Sequence, residues 1–293
     1  MNETAIPAGT ALLEGGRPGA VSASRSGASG SGAPRSRYRE FAPPPEWAGV
    51  ARCGWVQRIG GSAYRQRVLP DGHADVLVDE RGRAVLVGPA TGVALPVLPA
   101  GTTVWGLRWR FDGVRPVFGV PASALTDGVV PLDALLDGPR ARALADAVGC
   151  ADEAAVRAVG RWLGEVRPDA RVGAAARLLW HGPTLDVTEV AARVGLSGRQ
   201  LRRALHTEVG LGPKTFQRIG RLQRFLALAE AGPGRGLAVL AAEAGYADQP
   251  HLSREARALA GLTAVELLAH RLGPDTAGAD TAGTDTAGTS TVG

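Results

Sequence analysis

Four side chains able to grip a phosphate or a base edge, Arg199, Arg202, Arg203 and His206, recur at i, i+3, i+4 and i+7 within GRQLRRALHTEVG. On an α-helix that spacing gathers them on one face, with Gln200 beside them. The planar fork of a guanidinium matches both phosphate oxygens and the acceptor edge of guanine. A second polar set, Gln249, Ser253, Arg254 and Arg257, follows about fifty residues later within DQPHLSREARALA. Its amide, hydroxyl and guanidinium groups suit base edges and phosphates. Both sets point to the reading of duplex DNA.

The other reactive residues form no comparable set. His73 stands between Asp71 and Asp75, but metal chemistry on a small β scaffold needs two or more histidines with a carboxylate. Asp71-Gly72 reads instead as a turn before a strand. Cys53 and Cys150 are far apart, without a nearby His or Cys, and are expected to be free, buried thiols. No phosphate-cradling glycine loop or nucleophile elbow occurs. The expectation is no catalytic residue, no metal and no cofactor.

The elements that must position the basic stripes are legible from caps and periodicity. Asp186 with Glu189, and Ser197 with Gln200, have capping-box spacing and mark two helix starts eleven residues apart. Val187, Val190, Ala191 and Val194 form the apolar face of the first helix, Gly195 supplies the reversal, and Leu201, Ala204 and Leu205 face inward on the second. The pattern returns with Leu237, Leu240 and Ala241, a turn at Gly245, a cap at Asp248, and Leu252, Ala256 and Leu259 inside. Between the two lies Pro213 to Ala231, an amphipathic helix with Phe216, Ile219, Leu222, Leu226 and Ala229 on one side. It would hold the two helix-turn-helix units at a fixed distance.

Before this module the period changes. Short apolar runs broken by Gly, Pro and Asp fill residues 37–130, with a hairpin expected where Val76 and Val78 are followed by Asp79-Glu80-Arg81-Gly82 and then Ala84 and Leu86. Trp105, Leu107, Trp109 and Phe111 alternate with Gly106, Arg108 and Arg110, the period of a sheet buried on one face. Residues 131–167 read as two Ala-rich connecting helices, which could equally pair across a dimer or pack within the chain's own core. The fold class expected is therefore α+β: an N-terminal antiparallel β sandwich or barrel, then an all-α domain over 168–272. Residues 1–36 and 273–293, the latter with DTAGx repeats at Asp275, Asp280 and Asp285, read as disordered tails.

Charge agrees with this division. The chain of 293 residues has net charge +5, and residues 184–272 hold 12 basic against 8 acidic side chains, whereas 37–137 hold 11 against 10. No apolar run approaches the roughly 18 residues of a membrane span, and the first 36 residues lack a signal-peptide core. A cytoplasmic protein without a membrane partner is expected.

Residues 168–272 resemble the DNA-binding domain of the AraC/XylS family of transcription regulators. The resemblance is carried by VTEVAARVGLSGRQLRRALHTEVGLGPKTF, the connecting helix with Arg221, and AAEAGYADQPHLSREARALAGLT. It implies sequence-specific binding of promoter DNA by two recognition helices in successive major-groove segments. It departs from the family at Leu252, Ala256 and Ala260, where larger aromatic residues are usual, and at Pro250; smaller side chains bury less apolar area, so a less stable second motif is expected. More loosely, YREFAPPPEWAGV and VLPDGHADVLV resemble the sensor-like domains of actinobacterial members. That implies a small-molecule effector, with Trp55, His73 and Trp105 as candidate lining residues, or a homodimer contact; RNA polymerase is a further partner the resemblance allows. Two alternatives stay open: a regulator acting mainly through protein contacts, and a small β-barrel enzyme fused to a helical domain.

Overall fold

In the computed structural model, residues 36–182 and 184–272 are described. The tails expected at 1–36 and 273–293 lie, apart from Ser36, outside them. Eight strands come first: β1 (Arg37–Phe41), β2 (Ala51–Arg58), β3 (Tyr64–Arg65), β4 (Asp75–Asp79), β5 (Ala84–Val87), β6 (Val97–Leu98), β7 (Thr103–Trp109) and β8 (Val129–Pro131). Helix α1 (Val114–Phe118) precedes β8, and α2 (Gly138–Gly149) and α3 (Glu153–Glu165) follow it. Seven helices complete the described residues: α4 (Ala170–His181), α5 (Val187–Arg193), α6 (Gly198–Glu208), α7 (Pro213–Ala231), α8 (Leu237–Ala244), α9 (Gln249–Ala260) and α10 (Ala264–Leu272).

The large sheet is antiparallel and six-stranded, ordered β1-β2-β7-β4-β5-β8, and is open at both edges. The expected hairpin is β4–β5, with Val78 opposite Ala84 and Val76 opposite Leu86. Its turn is closed by Asp79, whose Oδ1 accepts from the backbone N–H of Arg81 and of Arg83, each at 2.9 Å. Leu107 and Trp109 face a core shared with Trp47, Val76, Val78 and the apolar sides of α2 and α3, including Leu144, Val159 and Leu163. Within the chain these helices pack against their own sheet. Each of α2 and α3 starts at an aspartate cap, Asp137 and Asp152.

The opposite face corrects one expectation. Strict alternation put Arg108 on a solvated side, yet Arg108 is only 5% exposed. Its Nη1 lies 3.1 Å from Asp71, and its Nε lies 3.1 Å from Asp75. This second face is covered too: the two-stranded sheet β3–β6 is tied to it by Gln57, whose Nε2 donates to Tyr64 and Gln66, both at 2.7 Å. A charge enclosed between two layers requires paired opposite charge, and here two aspartates supply it. Burial pushes both aspartate carboxyls upward, against the opposing pull of Arg108.

The helical domain has its own core, built around α7, whose Phe216, Ile219, Leu222, Phe225 and Leu226 are all buried among residues of α4 to α10. Pro213 starts α7 where a backbone donor is not needed. The two domains meet over a continuous contact. His73 stacks on Phe111 at 4.2 Å, and Phe111 meets Trp180 and Phe216 at 5.0 and 4.9 Å between ring centroids. Gln223 on α7 donates to the Pro70 carbonyl at 2.7 Å.

Candidate nucleic-acid interface

The first helix-turn-helix is α5–α6. Asp186 caps α5 by accepting from the backbone of Thr188 and Glu189, and those bonds hold its carboxyl below the usual range. Glu189 does not return the contact; it pairs with Arg193 one turn on, so the box expected there is half made. The box at α6 is complete: Gln200 N–H donates to Ser197 Oγ at 3.2 Å, and Ser197 N–H donates to Gln200 Oε1 at 2.8 Å. Gln200 is therefore engaged in the cap through its oxygen. Leu201 and Leu205 are fully buried, and Arg199, Arg202, Arg203 and His206 are exposed.

The second unit, α8–α9, repeats the plan. Gly195 and Gly245 both turn in the left-handed region, with φ of 69° and 92°, where a side chain costs about 1–2 kcal/mol. Asp248 accepts from the His251 N–H at 2.6 Å and caps α9. Pro250, at the start of the helix, falls where it does no damage to the backbone ladder. Leu252, Ala256 and Ala260 are buried, Gln249 and Ser253 are half-buried, and Arg254 and Arg257 are exposed.

What makes this face electropositive is where the acids go. Residues 184–272 contain eight carboxylates. Asp186 and Asp248 cap helices, and Glu266 accepts from Thr263. Glu189, Glu230 and Glu243 pair with Arg193, Arg271 and Arg235, Glu208 with Arg115, and Glu255 with Arg218 and Arg221. None forms a hydrogen bond or ion pair with Arg199, Arg202, Arg203, Arg254 or Arg257, although Arg202 and Arg257 stand near enough to Asp186 and Glu266 to help lower those carboxyls. Exposed guanidiniums not locked in an ion pair are what a phosphate backbone attracts.

Two features of the interface were not read from the sequence. Glu255, 8% exposed, sits on the inner side of α9, and its Oε1 accepts from Arg218 Nε at 3.0 Å and Arg221 Nη2 at 2.8 Å. An acid inside the stripe Leu252, Ala256, Leu259, with two arginines three residues apart on α7, was the available signal. Tyr246, buried beside the turn, lies under the Arg221 guanidinium at 5.6 Å. An ionic brace thus ties α9 of the second unit to α7. The other feature is the docking of the N-terminal domain on the C-terminal ends of both stripe-bearing helices. Arg115 pairs with Glu208 at 2.7 Å and Thr126 donates to the Gly210 carbonyl at 2.8 Å, while Arg67 donates to the Ala260 carbonyl at 2.6 Å.

The three candidate effector residues do not converge. Trp55 is fully buried and donates to Asp75 at 3.2 Å. His73 is buried at the domain junction, with Nδ1 2.8 Å from the Trp109 carbonyl oxygen, and borders a polar cavity of about 410 Å³ with Asp71, Arg108, Trp180 and Gln223. Desolvation lowers its pKa to about 3, so it is neutral. Trp105 lies on the helical face of the sheet beside a separate cavity. Cys53 is buried as expected, whereas Cys150 is exposed, because it follows the end of α2 in the turn to α3. Among the described residues no group of three or more His, Cys, Asp or Glu is placed to hold a metal, and no helix is long and apolar enough to cross a membrane.

This arrangement is that of a DNA-binding transcription regulator with a tandem helix-turn-helix module. Residues 190–270 match the family model of a helix-turn-helix domain and form a domain of the AraC type; residues 39–131 match that of a domain of unknown function (DUF6597). Among solved structures, the chain is similar to ToxT from Vibrio cholerae at 9% identity, covering 82% of this chain and 99% of that one, with a TM-score of 0.41. ToxT from strain SCE256 with a bound unsaturated fatty acid matches at 10% identity over 75% and 94%, with a TM-score of 0.40. No curated protein matches the chain.

Proposed function

We propose that this regulator recognises a promoter sequence by inserting α6 and α9 into successive major-groove segments on one side of the duplex. Arg199, Arg202, Arg203 and His206 carry the first contact, and Gln249, Ser253, Arg254 and Arg257 the second. The observation that carries the reading is the allocation of charge: every acid of residues 184–272 is engaged elsewhere, leaving five stripe arginines exposed and without an ion pair. Helix-turn-helix units deliver such a stripe to base edges in the major groove. A small effector bound by the N-terminal domain would act on this module through the contacts at the ends of α6 and α9.

DNA selected from a random pool by the full chain supplies the test. Two conserved blocks about one helical turn apart are expected. Binding should weaken steeply with salt, and Arg199→Ala with Arg203→Ala should make the log–log slope shallower by about 0.9 for each phosphate that is no longer neutralised. Unchanged affinity and slope in the double variant would overturn the assignment of α6.

A further inference from the structure

Outside the DNA-reading face lies a cavity of about 310 Å³ between the β1–β2–β7 end of the sheet and the corner where α2 meets α3. Phe41, Trp47, Val56, Trp105, Val148 and Val156 give it apolar walls. The Phe41 wall depends on Gly54, where a Cβ would stand 2.3 Å from the Phe41 ring. Phe41 remains 45% exposed, an uncovered aromatic wall.

The polar lining has a single sign. Arg39 and Arg58 border the cavity, and no Asp or Glu does among the described residues. Arg37 stands directly opposite Arg58 across the β1–β2 pair. Like charges in that position repel. None of the three makes a hydrogen bond or ion pair with a described residue, because Glu40, the acid on β1, points to the other face, where it meets Tyr38 at 2.7 Å and approaches Arg108 at 4.0 Å. An apolar chamber whose rim has uncompensated guanidiniums is complementary to a molecule with a hydrocarbon body and an anionic head.

We propose that this cavity binds a small apolar carboxylate, its body between Phe41, Trp105 and the α2–α3 corner and its carboxylate on Arg39 and Arg58. At the roughly 30 Å³ that one water occupies in the liquid, the volume corresponds to about ten non-hydrogen atoms. The inference deepens the effector reading above and rests on it for any regulatory consequence. Binding itself is measurable without DNA.

Cys150 provides the readout. It is exposed and borders the cavity, while Cys53 is buried with its thiol pushed up to about 11 by desolvation, so a maleimide reports on Cys150 alone. The probes are 4-ethylbenzoate and its uncharged counterpart 4-ethylbenzyl alcohol, added to the full chain. The carboxylate should slow Cys150 modification at concentrations about tenfold or more below those the alcohol needs, as one charge-assisted hydrogen bond requires. Arg39→Gln with Arg58→Gln, both on exposed side chains, should raise the carboxylate to the alcohol's level. Equal protection by the two probes, protection by neither, or carboxylate protection untouched in the double variant would overturn the proposal. A chain that is protected yet fails to bind DNA would keep this site and remove the regulator reading, and the reverse result would do the opposite.

Discussion

Glu255 makes the clearest test of how the second helix-turn-helix is held. Its carboxylate is 10% exposed and joins α9 to Arg218 and Arg221 of α7, with His251 Nε2 at 3.6 Å. Removing one partner from a buried ion pair costs about 3–5 kcal/mol because the other charge is stranded. Arg221 is 15% exposed, but Arg218 is 39% exposed and returns to water readily, so its share is discounted. Glu255→Ala should therefore destabilise the domain by about 2–3 kcal/mol, and Glu255→Gln, which keeps an accepting oxygen, by about half that. In urea the midpoint of the full chain should fall by about 1 M at an ordinary slope. The DNA footprint should fade first over the half-site of α9, since the ion pairs of Glu255 hold α9 to α7 and none reaches α6. An unfolding free energy within about 0.5 kcal/mol of the parent, the range of neutral surface changes, together with an unaltered footprint, would refute the brace.

Three further outcomes follow from the same geometry. Arg254→Ala should cost about 1–3 kcal/mol at one base position if that guanidinium grips a guanine, read by competition between point-variant sites; a uniform loss over all positions would reassign it to phosphate. His73 is held neutral with its pKa at about 3, so the unfolded chain takes up the proton first, and stability falls as pH drops below about 6.5, by roughly 1.4 kcal/mol per unit until the folded pKa. Asp71 and Asp75, raised by burial, act in the opposite direction, so the histidine's share is the slope difference between the parent and His73→Gln in urea titrations from pH 6 to 5; parallel slopes would count against it. Phe111→Ala removes the half-buried ring shared by His73, Trp180 and Phe216, at a cost of about 2 kcal/mol, below that of a fully buried phenylalanine, and should split calorimetric unfolding into separate domain transitions, whereas one cooperative peak would locate the coupling elsewhere.

The helical half was legible because each of its elements is specified locally. Caps at Asp186, Ser197 and Asp248, turns at Gly195 and Gly245, and the proline opening Pro213–Ala231 all lie where the sequence puts them. In the N-terminal half, alternation located β7 but misjudged its second face. Arg108 is buried because Asp71, Asp75 and the β3–β6 layer meet over it, and partners from three separate segments leave no periodic trace. The aromatic candidates Trp55 and Trp105 lie apart for a related reason. Period two shows that Trp55 and Trp105 each have a side, but not that bulge-shifted strands put them on opposite sides of one sheet. Long-range pairs such as Arg67 with Ala260 and Arg115 with Glu208 are likewise invisible to spacing.

Those pairs give the proposed effector control a route between the two halves. Arg115 and Thr126 hold the end of α6, Arg67 the end of α9, and Pro70 and Phe111 of the same domain engage Gln223 and Phe216 of α7. All three helices that set the separation of the stripes are touched at points away from the stripes themselves. The cation at each carbonyl terminus also favours the negative end of the helix dipole. A rigid module with α7 as its spine fixes the stripe separation alone; with the N-terminal domain bound to both far ends, any ligand that prefers one docking geometry alters the cost of adapting to DNA. Linkage then requires the converse: DNA that favours one separation must change the affinity of the N-terminal domain for that ligand by the same factor. The coupling has a definite route, because deleting Arg67 and Arg115 should uncouple the two equilibria while leaving the exposed arginines, and hence the salt dependence, as they are.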